Sequence, residues 1–287
     1  MNNIINLESS NELSKEIVRS LYNKNNILSI FFNKNDSKEQ INIFLNNHIK
    51  IKNIYLDDNY KIAINMYEYN LDLYIFLIDC IDISYNIISS KTNKYINLFE
   101  NLNKWNICIC DNIMFNYPFT LKNIIYLPLN YIKECFNFNH SKKLINTLIH
   151  EKIHLGQREN ENLWYNFINN NEKKWIKINL HSNIYNIIEQ ITNNSNQKNL
   201  DDLNLKNHYF ISNPDTFHKN FKYIYLDNNK YYYGHYIYDK KTKQIEKKYF
   251  QIDLNKQKFI NTNKILIEDD PYEIYAYKIS NELVNNF

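Results

Sequence analysis

Apolar residues recur at helical spacing over residues 10–22, where Leu13, Ile17, Val18 and Leu21 share a face, so the pattern predicts a helix. The unbroken apolar run ILSIFF at 27–32 predicts a buried strand. Residues 36–47 predict a second helix, opened by Asp36 or Ser37 as N-cap with Glu39 and Gln40 close behind. Residues 49–56 and 71–79 predict strands, 92–104 a helix and 106–110 a strand. Asn123 to Leu127 is β-rich, and Pro118 before it and Pro128 after it favour an edge position over a central one. Residues 141–156 carry the clearest helical period, with Ser141 as a plausible N-cap. Residues 157–199 are Asn-rich but predict helix, anchored by Trp164, Phe167, Trp175, Ile184, Ile187 and Ile188. Residues 221–252 predict a three-strand meander with turns at Asp227 to Lys230 and Asp239 to Lys243. A last helix runs from about Pro271 to Val284. No repeat or linker interrupts the chain. The expectation is one α+β domain over 1–287, with a possible α/β subregion at 1–105.

Composition narrows the function classes. Only 2 glycines occur in 287 residues, Gly156 and Gly234, and no GxGxxG or Walker A loop can be built from them. The 54 asparagines accompany abundant Ile, Lys, Tyr and Phe, a set sharing A/T-rich codons, so base bias is the first explanation. Net charge is +3, lysines are scattered, and Arg19 and Arg158 are the only arginines; this argues against a nucleic-acid partner. Cys108-x-Cys110 lies in an apolar strand pattern with no second Cys/His pair nearby, so buried reduced thiols are expected and not a zinc site. No signal-peptide pattern opens the chain, and the most apolar window, Leu71 to Ile83, is too short to span a bilayer. A cytoplasmic, intracellular protein without a membrane partner is expected.

The chemistry lies in TLIHEKIHLGQR, residues 147–158. It contains His150-Glu151-Lys152-Ile153-His154, an HExxH. Two imidazoles at i and i+4 on one helix face can grip one Zn²⁺, and Glu151 beside the first can reach a metal-activated water as general base. With these residue frequencies a chance HExxH is expected only about once in a hundred such chains. Leu144, Ile145, Leu148, Ile149 and Ile153 form the apolar arc and the histidines fall opposite it, where a cleft is expected. Lys152 sits at the middle of that arc, so its stem is expected to pack and its amine to snorkel to water.

A catalytic zinc needs a third protein ligand and an open position. Gln157 and Asn160 stand where HExxHxxGxxH requires Gly and His, which removes the metzincin option. The leading third ligand is Glu273, at the start of the C-terminal helix in DDPYEIYAY. A competing reading makes Asp270, Pro271 and Glu273 a capping box, with Glu273 turned back to its own helix. Glu189 is a rival ligand.

An HExxH with a Glu from a later helix resembles the gluzincin group of zinc metallopeptidases. IIYLP, LIHEKIHLGQR and PYEIYAYKIS together are also similar to predicted metallopeptidases of large DNA viruses. The three matching strings cover 26 residues. It implies a zincin-like fold, a mixed sheet whose edge strand flanks the active helix, and one zinc per chain on His150, His154 and Glu273 with Glu151 as base. It also implies a peptide or protein substrate, in a host cell or a virion. One departure stands out: many gluzincins carry an acidic residue four positions after the ligand Glu, and here that position is Tyr277. Tyr277, His235 and Arg158 are further candidates for contact with substrate or transition state. The simpler readings come first: Arg158 pairs with Glu159 or Glu161, and the Tyr231 to Tyr236 run is a strand packed against its neighbours. The strand Ile124 to Leu127 is a candidate edge for an extended peptide. Two other functions compete: a metal-free interaction protein retaining the helix as scaffold, and a zinc hydrolase of a small amide.

Overall fold

A computed structural model describes residues 71–287, except 91–92, 100–104, 106, 111–116, 122–123, 194–201, 206–207, 212–214, 216–220, 240, 243 and 263–269. The elements expected before residue 71 lie outside the described residues. The described chain is α+β and divides into two compact units. The first holds residues 71–165 and Tyr275–Phe287, the second Asn166–Ile274.

The first unit begins with α1 (Leu71–Ser89) and a 3-10 turn (Ile96–Phe99). The sequence reading placed a strand at 71–79, and the structure corrects this. Buried Leu73, Leu77, Cys80, Ile81, Ser84, Ile87 and Ile88 repeat at helical spacing, while Asp72, Asp79 and Asp82 are exposed. Over a short window this apolar run cannot be told from a strand; its 19-residue length decides. The helix expected at 92–104 is represented by the 3-10 turn, with 100–104 outside the described residues.

Strands β1 (Ile107–Cys110), β2 (Phe119–Leu121) and β3 (Ile124–Pro128) form a mixed sheet in the order β1-β3-β2. β3 pairs parallel with β1 and antiparallel with β2, so it is the middle strand. This overturns the edge assignment for Ile124 to Leu127. Pro118 precedes β2 and Pro128 ends β3, so each proline marks a strand end, where no ladder bond is lost. Helices α2 (Leu129–Asn137) and α3 (Ser141–Glu159) follow. α3 packs on α1, β2 and β3. His140, not Ser141, holds the N-cap position of α3, without a side-chain cap bond.

From Leu144 to Gln157, α3 is buried around most of its circumference, so the polar side of the helix is covered as well as the apolar one. Lys152 is 1% exposed and does not snorkel; its Nζ lies 4.9 Å over the Trp105 ring. Burial pushes its amine down to about 7. Between that value and the ordinary lysine range the unfolded chain binds the extra proton, so stability rises with pH over this window. Lys152→Met is therefore expected to flatten that rise in the metal-free protein. It should also lift the melting temperature at neutral pH, by roughly 2–4 °C per kcal/mol of burial penalty relieved. Melting curves from pH 6 to 10 check this; a lower melting temperature at pH 7 would mean that the Trp105 contact outweighs the desolvation.

The second unit follows α4 (Glu161–Asn171), whose far end it contains. Residues 157–199 were expected to be helical throughout. Instead β4 (Trp175–Asn179) separates α4 from α5 (Asn183–Asn193), because the apolar, partly β-branched WIKIN pairs antiparallel with β6 over all five residues. With β5 (His208–Ile211), β6 (Phe221–Asp227), β7 (Lys230–Asp239), β8 (Gln244–Asp253) and β9 (Lys258–Asn261) it forms an antiparallel sheet, β4-β6-β7-β8-β9, with β5 also on β7. β6, β7 and β8 are the expected meander. Tyr185, Ile187, Ile188 and Ile191 of α5 bury against Ile178, Ile224, Ile237, Phe250 and Phe259 of this sheet.

The turns are made by asparagine. Among the described residues Asn139, Asn204, Asn228, Asn229 and Gln257 have positive φ, between 48° and 58°, and no glycine does. Asn228 and Asn229 form the two-residue link between paired Asp227 and Lys230, the φ signature of a type I′ hairpin. Asp239 makes the next turn, its carboxylate accepting from the Lys241 N–H at 2.8 Å and the Thr242 hydroxyl at 2.9 Å. The last helix, α6 (Pro271–Asn285), returns the chain to the first unit from Tyr275 onward. Among the described residues no helix is long and apolar enough to cross a membrane.

Candidate metal centre

The site is built on α3. The i, i+4 spacing sets the His150 and His154 rings 4.7 Å apart at 81°, with their Nε2 atoms 3.0 Å from each other. Glu273, in the first turn of α6, completes the group. His150, His154 and Glu273 are buried, each offers one ligand atom, and these atoms lie within 4.8 Å of one another; the three can hold a metal ion.

The two helices meet in steps of one turn. Asn146 Nδ2 donates to Asn281 Oδ1 at 2.9 Å, the Tyr277 ring lies 4.3 Å from that of His150, and His154 groups with Glu273. Moving four residues forward on α3 moves four back on α6, so the helices run antiparallel. The start of α6 is fixed by Asp270, whose Oδ1 accepts the Tyr272 N–H at 2.8 Å and whose carbonyl accepts the Ile274 N–H at 3.3 Å. Asp270 supplies the cap through the Tyr272 N–H, and the Glu273 carboxylate groups with the imidazoles.

The donor set fits a tetrahedral cation. Bonds of about 2.0–2.2 Å separate tetrahedral ligand atoms by about 3.3–3.6 Å. The imidazole nitrogens, 3.0 Å apart, need to spread by only about 0.3–0.6 Å to reach that separation. Two neutral nitrogens and one carboxylate also neutralise half of a divalent charge, which favours an ion in a buried place where isolated charges are costly.

His154 is fixed from behind by a residue the sequence reading passed over as a motif mismatch. Its Nδ1 lies 2.8 Å from Gln157 Oε1, one helical turn on and likewise buried. The spacing carries the signal: a polar side chain three residues after His154 lies one turn on along the same helix face. Glu151 is buried on the same helix. Thr147, one turn before it, bonds the Tyr131 hydroxyl at 2.6 Å. Burial raises the Tyr131 phenol, the Thr147 bond opposes this, and nearby Cys135 and Glu151 add to the rise.

The other candidates sit as follows. Tyr277 lies against His150 and is 46% exposed, so its ring covers the histidine in the position where an acidic partner was looked for. Arg158 donates through Nη2 to Thr120 Oγ1 and so ties the last turn of α3 to β2. His235 is buried in the second unit's sheet, against Phe210 and Tyr233, and is not one of the three metal-competent residues. Glu189 accepts from Lys222 Nζ at 2.9 Å within the second unit and is likewise outside the group. No family model, no curated protein and no solved structure matches the chain.

Proposed function

We propose that the protein is a zinc-dependent metallopeptidase with a zincin-like, gluzincin-type centre, in which His150, His154 and Glu273 hold Zn²⁺ and Glu151 is the general base. The supporting observation is the buried His–His–Glu group with Glu151 adjacent to its first histidine. Two imidazoles and a carboxylate are a usual catalytic zinc set that keeps a fourth position open. When bound, zinc would supply Lewis acidity and lower the pKa of a coordinated water to about 7. Glu151 takes the proton of the attacking water and returns it to the leaving amine. Gln157 and Tyr277 orient the two imidazoles, by a hydrogen bond and by ring packing. The Tyr277 hydroxyl is the candidate donor to the oxyanion, since its ring already lies at the site and is reachable from solvent.

Elemental analysis of metal-replete protein is expected to give one zinc per chain. Protein without stoichiometric zinc overturns the enzyme reading and leaves the scaffold alternative. A peptide-library digest with and without chelator then separates a peptidase, which cleaves peptides only with metal, from a hydrolase of small amides, which leaves them intact.

A further inference from the structure

We propose that Gln157 is a positioning residue: its side-chain carbonyl selects the His154 tautomer that presents a bare Nε2 to the metal. This rests on the metal-site reading above. The observation is the 2.8 Å contact between Gln157 Oε1 and His154 Nδ1, with both residues fully enclosed.

A carbonyl oxygen can only accept, so Nδ1 of His154 carries the proton and Nε2 carries the lone pair. Nε2 of His154 then accepts from Nε2–H of His150 across 3.0 Å in the metal-free state; to offer its own Nε2 to an ion, His150 would carry its proton on Nδ1 instead and stay neutral. The other tautomer would put a proton on His154 Nε2, facing the ion. In a buried site water cannot replace the Gln157 bond, so the preference is built into the helix by the three-residue spacing. The same bond raises the electron density of the imidazole, as a carboxylate or backbone carbonyl does behind other metal-bound histidines.

The test uses the full chain and the metal alone. Zinc affinity is measured by competition with a chromophoric chelator for wild type, Gln157→Leu and Gln157→Glu. Histidine tautomers are read by ¹⁵N NMR of the metal-free proteins, with melting curves in chelator as the control for folding. Gln157→Leu is expected to lose about 10–100-fold in zinc affinity and to lose the uniform Nδ1–H state of His154. Its melting temperature in chelator should change far less than its affinity. Gln157→Glu keeps an acceptor of the same reach and is expected to bind zinc at least as tightly as wild type, which a packing role would not require. If the Leu variant does not fold, the Glu variant decides. A Leu variant that binds as wild type, or a Glu variant weaker than wild type, overturns the assignment while the metal site stands. Wild type that takes up no zinc overturns the site reading itself, and the role of Gln157 with it.

Discussion

Glu151→Gln is expected to keep its zinc and to lose peptide hydrolysis by about 10²–10⁴-fold, the usual contribution of a positioned proton-transfer group. Glu151 stands next to His150 on α3, yet the metal-competent group is His150, His154 and Glu273. Replacing its carboxylate by an amide of the same shape leaves those three in place and removes only the basic oxygen. The burial of Glu151 matters here, because an amide fits an enclosed site with little repacking. Metal analysis and a steady-state assay on one preparation test both halves. A variant that cleaves as wild type removes the base assignment; one that sheds its metal makes Glu151 a ligand or a support of the ligands.

Glu273→Ala is expected to abolish stoichiometric zinc binding, an effect larger than the 10–100-fold typical of losing an outer hydrogen-bond partner. The competing view of Glu273 as a helix cap predicts retained zinc and a loss of only about 0.5–2 kcal/mol in stability. The structure already gives the cap to Asp270, through the Tyr272 N–H. Asp270→Ala is thus the internal control: it should show the capping loss while zinc stays bound. Equal behaviour of the two variants in a zinc titration would refute the division of labour between them.

The candidate group is legible in the sequence because its residues are written in local spacing. His150 and His154 are one turn apart, and DDPYE announces a helix start with a carboxylate in its first turn. What joins these strings across about 120 residues is not local, and the sequence left Glu189 as a rival until its pairing with Lys222 was seen. The errors have physical causes. Leu71 to Ile83 is apolar enough that its helical period hides within a short window. The prolines around β3 punctuate its neighbours and its end, and say nothing of its place in the sheet. Lys152 was expected to reach water because a lysine usually can; a helix enclosed on its polar side leaves it no route, and Trp105 takes the amine instead. Gln157 escaped notice because a motif match tests for Gly at that position and not for what a Gln could do there.

The asparagine turns bear on how a chain with 2 glycines folds at all. A left-handed residue with a Cβ costs about 1–2 kcal/mol, least for Asn, whose amide can bond locally. Glycine avoids that strain but has more freedom to lose on folding, by roughly 0.5–1 kcal/mol. Asparagine at Asn139, Asn204, Asn228 and Asn229 exchanges one term for the other, so the turns stay close to neutral in free energy. At Asn228-Asn229 the exchange also sets which residues of β7 face α5, because a slip of one position would send Tyr231 and Tyr233 to the opposite side. The codon bias that fills the chain with a weak helix former thereby provides the residue that the β6–β7 hairpin needs. Denatured-state entropy, as well as native contacts, thereby enters the stability of turns built without glycine.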